Sequence, residues 1–275
     1  MARSKPSRTA IGLAVFYALL LLGIVCGFAL FGWRPTLASE VGAGVDRVIT
    51  YLLVVTGAIV VVGHVVLARF VLRGDAEGGP EYRRPSRRAE WLGALIPVVA
   101  MSVLSEVGVL VMGTPVWAAL YIEEPEDPFV LQVVGKQFEW IAHYPGKDGR
   151  WGRTDPRQVH DRRNPIGLDD SDPAGQDDIV LRQELALPVG RDVVIRLRTQ
   201  DMLHSFFVPS FRVKQDLIPG FPTRVQFRAT RTSTYELACA ELCGMSHYTM
   251  RAVLSVLEAG EFERWLAGQE TWFGG

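Results

Sequence analysis

The chain has 275 residues, enough for one or two domains. Hydrophobic residues make up 48% of it and the mean hydropathy is positive, which sets it apart from most soluble enzymes. A net charge of −1 gives no basic surface for nucleic acid, and three cysteines are too few for a disulfide framework.

Three apolar runs come first: Ile11 to Gly32, Tyr51 to Leu72 and Trp91 to Gly113. Each has about the 20 residues that cross a bilayer, and three of them are hard to house in a soluble core. Arg3, Lys5 and Arg8 precede the first run, and Arg73, Arg83, Arg84, Arg87 and Arg88 crowd the loop between the second and third. The positive-inside rule puts both groups in the cytoplasm and everything after Gly113 outside. The expected domains are 1–38, 50–117 and 123–275. The first is either a retained helix or a long signal peptide, since "TLASE" at 36–40 offers a small-residue cleavage site. The second is a transmembrane hairpin, and the third an extracytoplasmic domain. Within the third run Glu106 is a carboxylate that should face protein and not lipid, and it is expected to pack against a partner subunit. His64, on the second run, reads as a packing histidine.

From Pro128 onward the pattern changes to short alternating segments such as "FVLQVVGKQFEWIAHY", "DIVLRQELAL", "DVVIRLRT" and "STYELAC". Short strands separated by Pro and Gly turns predict an all-β sandwich or barrel. Pro145 to Asp178, rich in Gly, Asp, Arg and Pro, reads as an excursion between strands. "GEFERWLAG" at 260–268 reads as a short closing helix.

"CAELCGMSHYTM" at 239–250 gathers Cys239, Cys243, His247 and Met250 in one loop. A disulfide between thiols four residues apart would be strained and would leave His247 and Met250 without a role. A zinc site of Cys239, Cys243, His247 and an outside histidine is a second reading. Met250 argues for copper, because a thioether is a soft ligand. His204, in "DMLHSFFVPS" 35 residues upstream, is the candidate outside histidine. A mononuclear blue-copper site needs one thiolate, and the natural use of a second is to bridge a second copper.

The pattern C-x-E-x-C-x3-H-x2-M, carried by Cys239, Glu241, Cys243, His247 and Met250, resembles the dinuclear copper (CuA) loop of cytochrome c oxidase subunit II. "HSFFVPSFRVKQDLIPGFP" is similar to that family's upstream stretch, and the likeness runs from about Tyr51 to the end. The resemblance implies a two-helix hairpin, plus the extra N-terminal segment, followed by a cupredoxin domain. It implies that Cys239 and Cys243 bridge two coppers, that His204 and His247 each bind one, and that Met250 is a weak ligand. The Glu241 backbone carbonyl would bind the other copper, and its side chain would hold magnesium at the interface with subunit I.

The resemblance also implies a role. An electron from cytochrome c, or a similar carrier, passes through the copper to a haem in subunit I of a haem-copper oxidase, where oxygen is reduced and protons are pumped. Other oxidase subunits and membrane lipid are further expected partners. The helices offer no histidine cluster, so the oxygen site is expected in the partner. Where the family has a Gln-Trp-x-Trp run, this chain has Gln137, Phe138, Glu139 and Trp140, so Trp140 or Tyr144 becomes the candidate electron acceptor. No C-x-x-C-H haem motif follows, which makes the expected donor a separate protein. Glu90, seven residues before Pro97, resembles the family glutamate at the mouth of a proton path. A CuA subunit of a nitric oxide reductase and a copper-free quinol-oxidase relative are the alternative readings.

Overall fold

The structure is a computed structural model that describes residues 6–76 and 85–273. Arg3, Lys5, Arg83 and Arg84 of the predicted cytoplasmic clusters lie outside the described residues. The chain forms two units. One comprises residues 1–35 and 46–114; the other comprises Thr36–Val45 and Pro115–Gly275.

The first unit is helical. The three apolar runs become helices α1 (Arg8–Leu30), α2 (Glu40–Ala76) and a third stretch over Arg87–Tyr121. All three are long and apolar enough to cross a membrane. Ser7 caps α1 through the Ala10 N–H, and Ser86 caps α3 (Arg87–Met101) through the Ala89 N–H. The third stretch is not one regular helix: a π-helical segment, Ser102–Val107, separates α3 from α4 (Gly108–Tyr121). Both α2 and α4 run past the ends predicted from hydropathy. α2 starts at Glu40 because the Ser39 hydroxyl accepts from the Gly42 N–H. His64 is the packing residue expected, with Nδ1 2.8 Å from the Val60 carbonyl and its ring edge-on to Tyr17.

The second unit is a β-sandwich. One sheet has the order β3-β2-β1-β5-β8, from β1 (Phe129–Lys136), β2 (Glu139–Tyr144), β3 (Ile179–Arg182), β5 (Asp192–Thr199) and β8 (Thr223–Arg228). The other has the order β4-β10-β9-β6-β7, from β4 (Glu184–Pro188), β6 (His204–Val208), β7 (Val213–Leu217), β9 (Ser233–Cys239) and β10 (Arg251–Leu257). Leu131, Trp140, Ile195 and Leu197 from the first sheet meet Leu185, Phe206, Leu237 and Leu254 from the second in one core. α5 (Ala259–Ala267) closes one end through Phe262, which packs on Phe129.

Two segments read as single strands divide. "FVLQVVGKQFEWIAHY" is a hairpin, with Lys136 opposite Glu139. "DIVLRQELAL" changes sheets at Gln183, which has φ +58°. The Gln183 N–H donates to Trp140 in one sheet and its carbonyl accepts from Val253 in the other. One residue therefore satisfies its backbone in both sheets, and this fixes the crossover.

The excursion over 145–178 has no strand, only two short 3-10 turns, Pro156–Gln158 and Pro173–Gly175. Its Ile166 and Leu168 join Val134 and Ile141 in a small second core on the outer face of the first sheet. A buried pair holds it down. His143 Nε2 lies 2.7 Å from Asp178 Oδ2, with both side chains fully buried, and Asp178 also accepts from the Gly146 and Gly152 N–H groups. A Cβ at Gly152 would stand 2.5 Å from the Gly175 Cα, so glycine there lets two backbone strips meet.

The unit has a second piece from far upstream. The fully buried Ala38 donates its N–H to the Ser210 carbonyl and accepts from the Thr230 N–H. Ser39 pairs with Ala229, and its hydroxyl donates to the Phe211 carbonyl at 2.7 Å.

Removing one partner of a buried hydrogen-bonded pair leaves the other polar group stranded, at a cost of about 3–5 kcal/mol when that group is charged. Asp178→Ala is therefore expected to lower the thermal unfolding midpoint of the β unit clearly. An unchanged melting curve would show that the excursion is held by its apolar contacts alone.

Candidate metal centre

The sulfur loop hangs between two antiparallel neighbours. β9 ends on Cys239 and β10 starts after Met250, and the Cys239 N–H donates to the Met250 carbonyl at 3.1 Å. That bond closes the neck of the loop. Inside it Gly244, at φ +128°, turns the chain where a Cβ would meet the Gln137 amide and the Phe138 ring. A 3-10 turn, His247–Thr249, then presents His247. His204 comes from the start of β6, which pairs with β9.

The donor atoms converge. Cys239 Sγ is 3.9 Å from Cys243 Sγ, 3.9 Å from His204 Nδ1 and 3.2 Å from the Glu241 carbonyl oxygen. Cys243 Sγ is 3.6 Å from His247 Nδ1 and 3.8 Å from Met250 Sδ. The two thiols are free. The ligand atoms of His204, Cys239 and Cys243 all fall within 4.8 Å of one another. His204, Cys243 and Met250 are fully buried, Cys239 nearly so, while His247 and Glu241 reach partly to the surface.

This geometry fits a soft metal. Three sulfurs and two imidazole nitrogens face a common volume, with one backbone carbonyl beside them and no carboxylate oxygen aimed in. That donor set selects copper over hard cations. Each histidine turns Nδ1 inward. For His204 the cause is visible: Nε2 is held 2.8 Å from Asp201 Oδ1, leaving Nδ1 to the sulfur.

Asp201 stands outside the sequence motif and is missed by reading it. Its other oxygen accepts from the Gln137 N–H at 2.7 Å, so one carboxylate joins the β1–β2 turn to His204. Gln137 in turn donates its amide to the Cys243 carbonyl at 2.6 Å. An aspartate three residues before the candidate histidine is the local sign of this role.

Electrostatics follow from the packing. Burial alone would raise the Cys239 thiol, but hydrogen bonds from the His204 ring and from backbone groups of Glu241 and Ser205 outweigh it and hold it low. Cys243 is raised, by burial first and then by the negative charge of Cys239 beside it. Burial would lower His204, yet its contacts with Cys239 and Asp201 leave it raised. Asp201 is held low: its burial is outweighed by the Gln137 N–H, His204 and the Met202 N–H.

The aromatic candidates separate. Trp140 is buried with its ring 6.2 Å from the His204 ring, directly behind the site. Phe138 is half-buried against the loop at Gly244. Tyr144 is at the opposite end of β2, buried beside Trp265, with its hydroxyl bonded to both N–H and C=O of Ala186. The structure does not bring Tyr144 together with the loop. Glu90 lies on the exposed first turn of α3, in the other unit.

Apolar helices leading into a β-sandwich whose strand ends gather sulfur and imidazole define a membrane protein with a cluster compatible with a soft metal. The family described as "Cytochrome C oxidase subunit II, periplasmic domain" matches residues 129–257. The chain is 36% identical over 268 residues to the alternative cytochrome c oxidase subunit 2 of Bradyrhizobium diazoefficiens, covering 94% of this chain and 93% of that one. It is 38% identical over 136 residues to the cytochrome c oxidase subunit 2 of Thermostichus vulcanus, covering 50% of this chain and 32% of that one. Among solved structures, it is similar to the periplasmic domain of subunit II of cytochrome oxidase (CoxB) of Bradyrhizobium japonicum. That match has 27% identity and a TM-score of 0.40, and covers 54% of this chain and 98% of that one. The chain belongs to the cytochrome c oxidase subunit II family of the haem-copper oxidases.

Two outcomes follow. Asp201→Ala removes the acceptor that orients His204, and copper affinity measured by chelator competition is expected to drop about 10–100-fold. In the metal-free protein the two thiols should titrate in two macroscopic steps, read by ultraviolet thiolate absorbance. One step falls below and one above the ordinary thiol value of about 8.5. A single step at that value would mean that the sulfurs do not share a site.

Proposed function

We propose that the chain is the electron-accepting subunit of a haem-copper terminal oxidase, with a dinuclear CuA centre on the extracytoplasmic side. It takes single electrons from cytochrome c or a similar carrier and delivers them to a haem in subunit I. There oxygen is reduced to water and protons are pumped. The observation that carries this reading is the convergence of Cys239, Cys243, His204, His247, Met250 and the Glu241 carbonyl on one buried volume.

The copper pair, when bound, supplies a one-electron couple whose charge is shared by two metals. Cys239 and Cys243 would bridge both ions, and His204 and His247 would bind one each through Nδ1. Met250 Sδ and the Glu241 carbonyl would take the outer positions. The protein's part is to keep these donors fixed and dry. The neck hydrogen bond, the Asp201 hold on His204 and the sandwich core limit movement between charge states. The Glu241 carboxylate, partly exposed, is available for a hard ion such as magnesium at the junction with subunit I. Phe138 at the surface and Trp140 behind it, against His204, make an aromatic route into the site. Leu242, Met245 and Tyr248 project from the same loop and offer an apolar contact surface.

The membrane reading has independent support. Thr36–Val45 and the chain from Pro115 belong to one β unit, and in this reading the apolar stretch between them would leave and return on one side of the bilayer. That fits a hairpin, with the β domain on the side away from the basic residues Arg73, Arg87 and Arg88.

The test uses the full chain in detergent, loaded with copper. Its electron paramagnetic resonance spectrum is expected to show one electron shared equally by two copper nuclei. A single-copper signal would remove the dinuclear reading. Met250→Leu should keep the shared signal and raise the reduction potential, because a donor to the oxidised state is lost; protein-film voltammetry reads the shift.

A further inference from the structure

Glu106 is the only charged residue between Trp91 and Ile122. It lies on the π-helical segment Ser102–Val107, between α3 and α4. A π turn holds one residue more than an α turn, weakens the local ladder and re-aims the side chains that follow; such segments recur at functional sites.

Here the π segment is supported from the neighbouring helix. The Tyr51 hydroxyl of α2 donates to the Leu104 carbonyl. The Tyr51 ring fills the space that a Cβ at residue 108 would need, so Gly108 is what lets it approach. Tyrosine, glycine and π turn form one built feature, whose cost in helix regularity is met by a dedicated hydrogen bond.

What the feature presents is Glu106. Its side chain is exposed among the exposed apolar side chains of Val103, Leu104, Val107 and Leu110. Among the described residues no cation or hydrogen-bond donor reaches its carboxylate. His64 and Tyr17, on the other two helices, are engaged with each other. A carboxylate on an otherwise apolar membrane helix is expensive against lipid, and such groups face protein and pair with a partner.

We propose that Glu106 is a recognition point for a transmembrane helix of a partner oxidase subunit that carries a lysine or arginine at the same depth. The charge chooses the partner: the surface around it is hydrocarbon-like, so a cation is what this spot lacks. The proposal rests on the reading of the chain as one subunit of a membrane oxidase.

The test compares membranes in which the full chain is made with its partner subunits and membranes in which it is made alone. The probe is dicyclohexylcarbodiimide, which reacts with carboxyls in apolar surroundings, and mass spectrometry of the Glu106 peptide reads the labelling. Protection of at least about tenfold in the assembled oxidase is expected. Equal labelling in both preparations would mean that Glu106 faces lipid, and would overturn the proposal. In parallel, Glu106→Leu is expected to reduce the partner subunit recovered with the chain about tenfold. Unchanged recovery would also overturn it. The labelling uses the unsubstituted chain, so it decides even where the variant fails to insert. Failure of the copper reading would appear separately, as a wrong metal spectrum from the β unit, with Glu106 protected or not.

Discussion

The hydrogen bond from the Cys239 N–H to the Met250 carbonyl is the constraint on which the site depends. It joins the last residue of one strand to the last residue before the next, so the segment between them has to fold back on itself in a small space. With the neck closed, Cys239 and Met250 are fixed by the sheet and not by the loop. Cys243 and His247 have only a few residues in which to reach them. The fifth side chain, His204, needs no loop at all, because β6 is the hydrogen-bonded neighbour of β9. The metal site is thus an outcome of strand pairing, and a metal joining these donors would add to an arrangement the backbone has already made.

The same packing creates an electrostatic conflict and resolves it locally. Burying two thiols favours their neutral form, whereas a metal needs at least one as thiolate. Hydrogen bonds from His204 and from the loop backbone resolve the conflict for Cys239. Cys243 is raised, by its burial first and then by the charge on its neighbour. Asp201 balances His204 from behind, and Gln137 ties the β1–β2 turn to the carbonyl of Cys243. The surrounding polar groups therefore prepare one sulfur and hold the other in reserve.

The sequence revealed those parts that are local. The ligand loop could be read because its donors sit within twelve residues and their chemistry is unusual. The apolar runs could be read because hydrocarbon imposes a length. What could not be read depends on contacts distant in the chain. Gln183 looks like any polar residue in a strand, and only pairing with Trp140 on one side and Val253 on the other makes it a crossover. Asp201 becomes a positioning residue only once His204 is folded beside it. The π segment leaves no trace in hydropathy, and the tyrosine that packs against it at Gly108 comes from more than fifty residues earlier. Tyr144 shows the reverse case: it becomes a candidate beside Trp140 once Phe138 stands in the family's Trp position, but an even-numbered step along a strand keeps a residue on the same face while carrying it toward the other end.

The buried contact of Ala38 and Ser39 with residues 210, 211, 229 and 230 ties a short upstream segment of the same chain into the β-sandwich. The donor segment is made early and its acceptor groove late, with all of α2, α3 and α4 between them. On the ribosome the upstream piece, at the head of α2, is already made when residues 210–230 emerge to meet it. A secreted version cut just before β1 would carry an open seam over Phe211 and Ala229. Making such a version well behaved would mean supplying the missing piece in trans as a short peptide, or grafting it elsewhere on the chain.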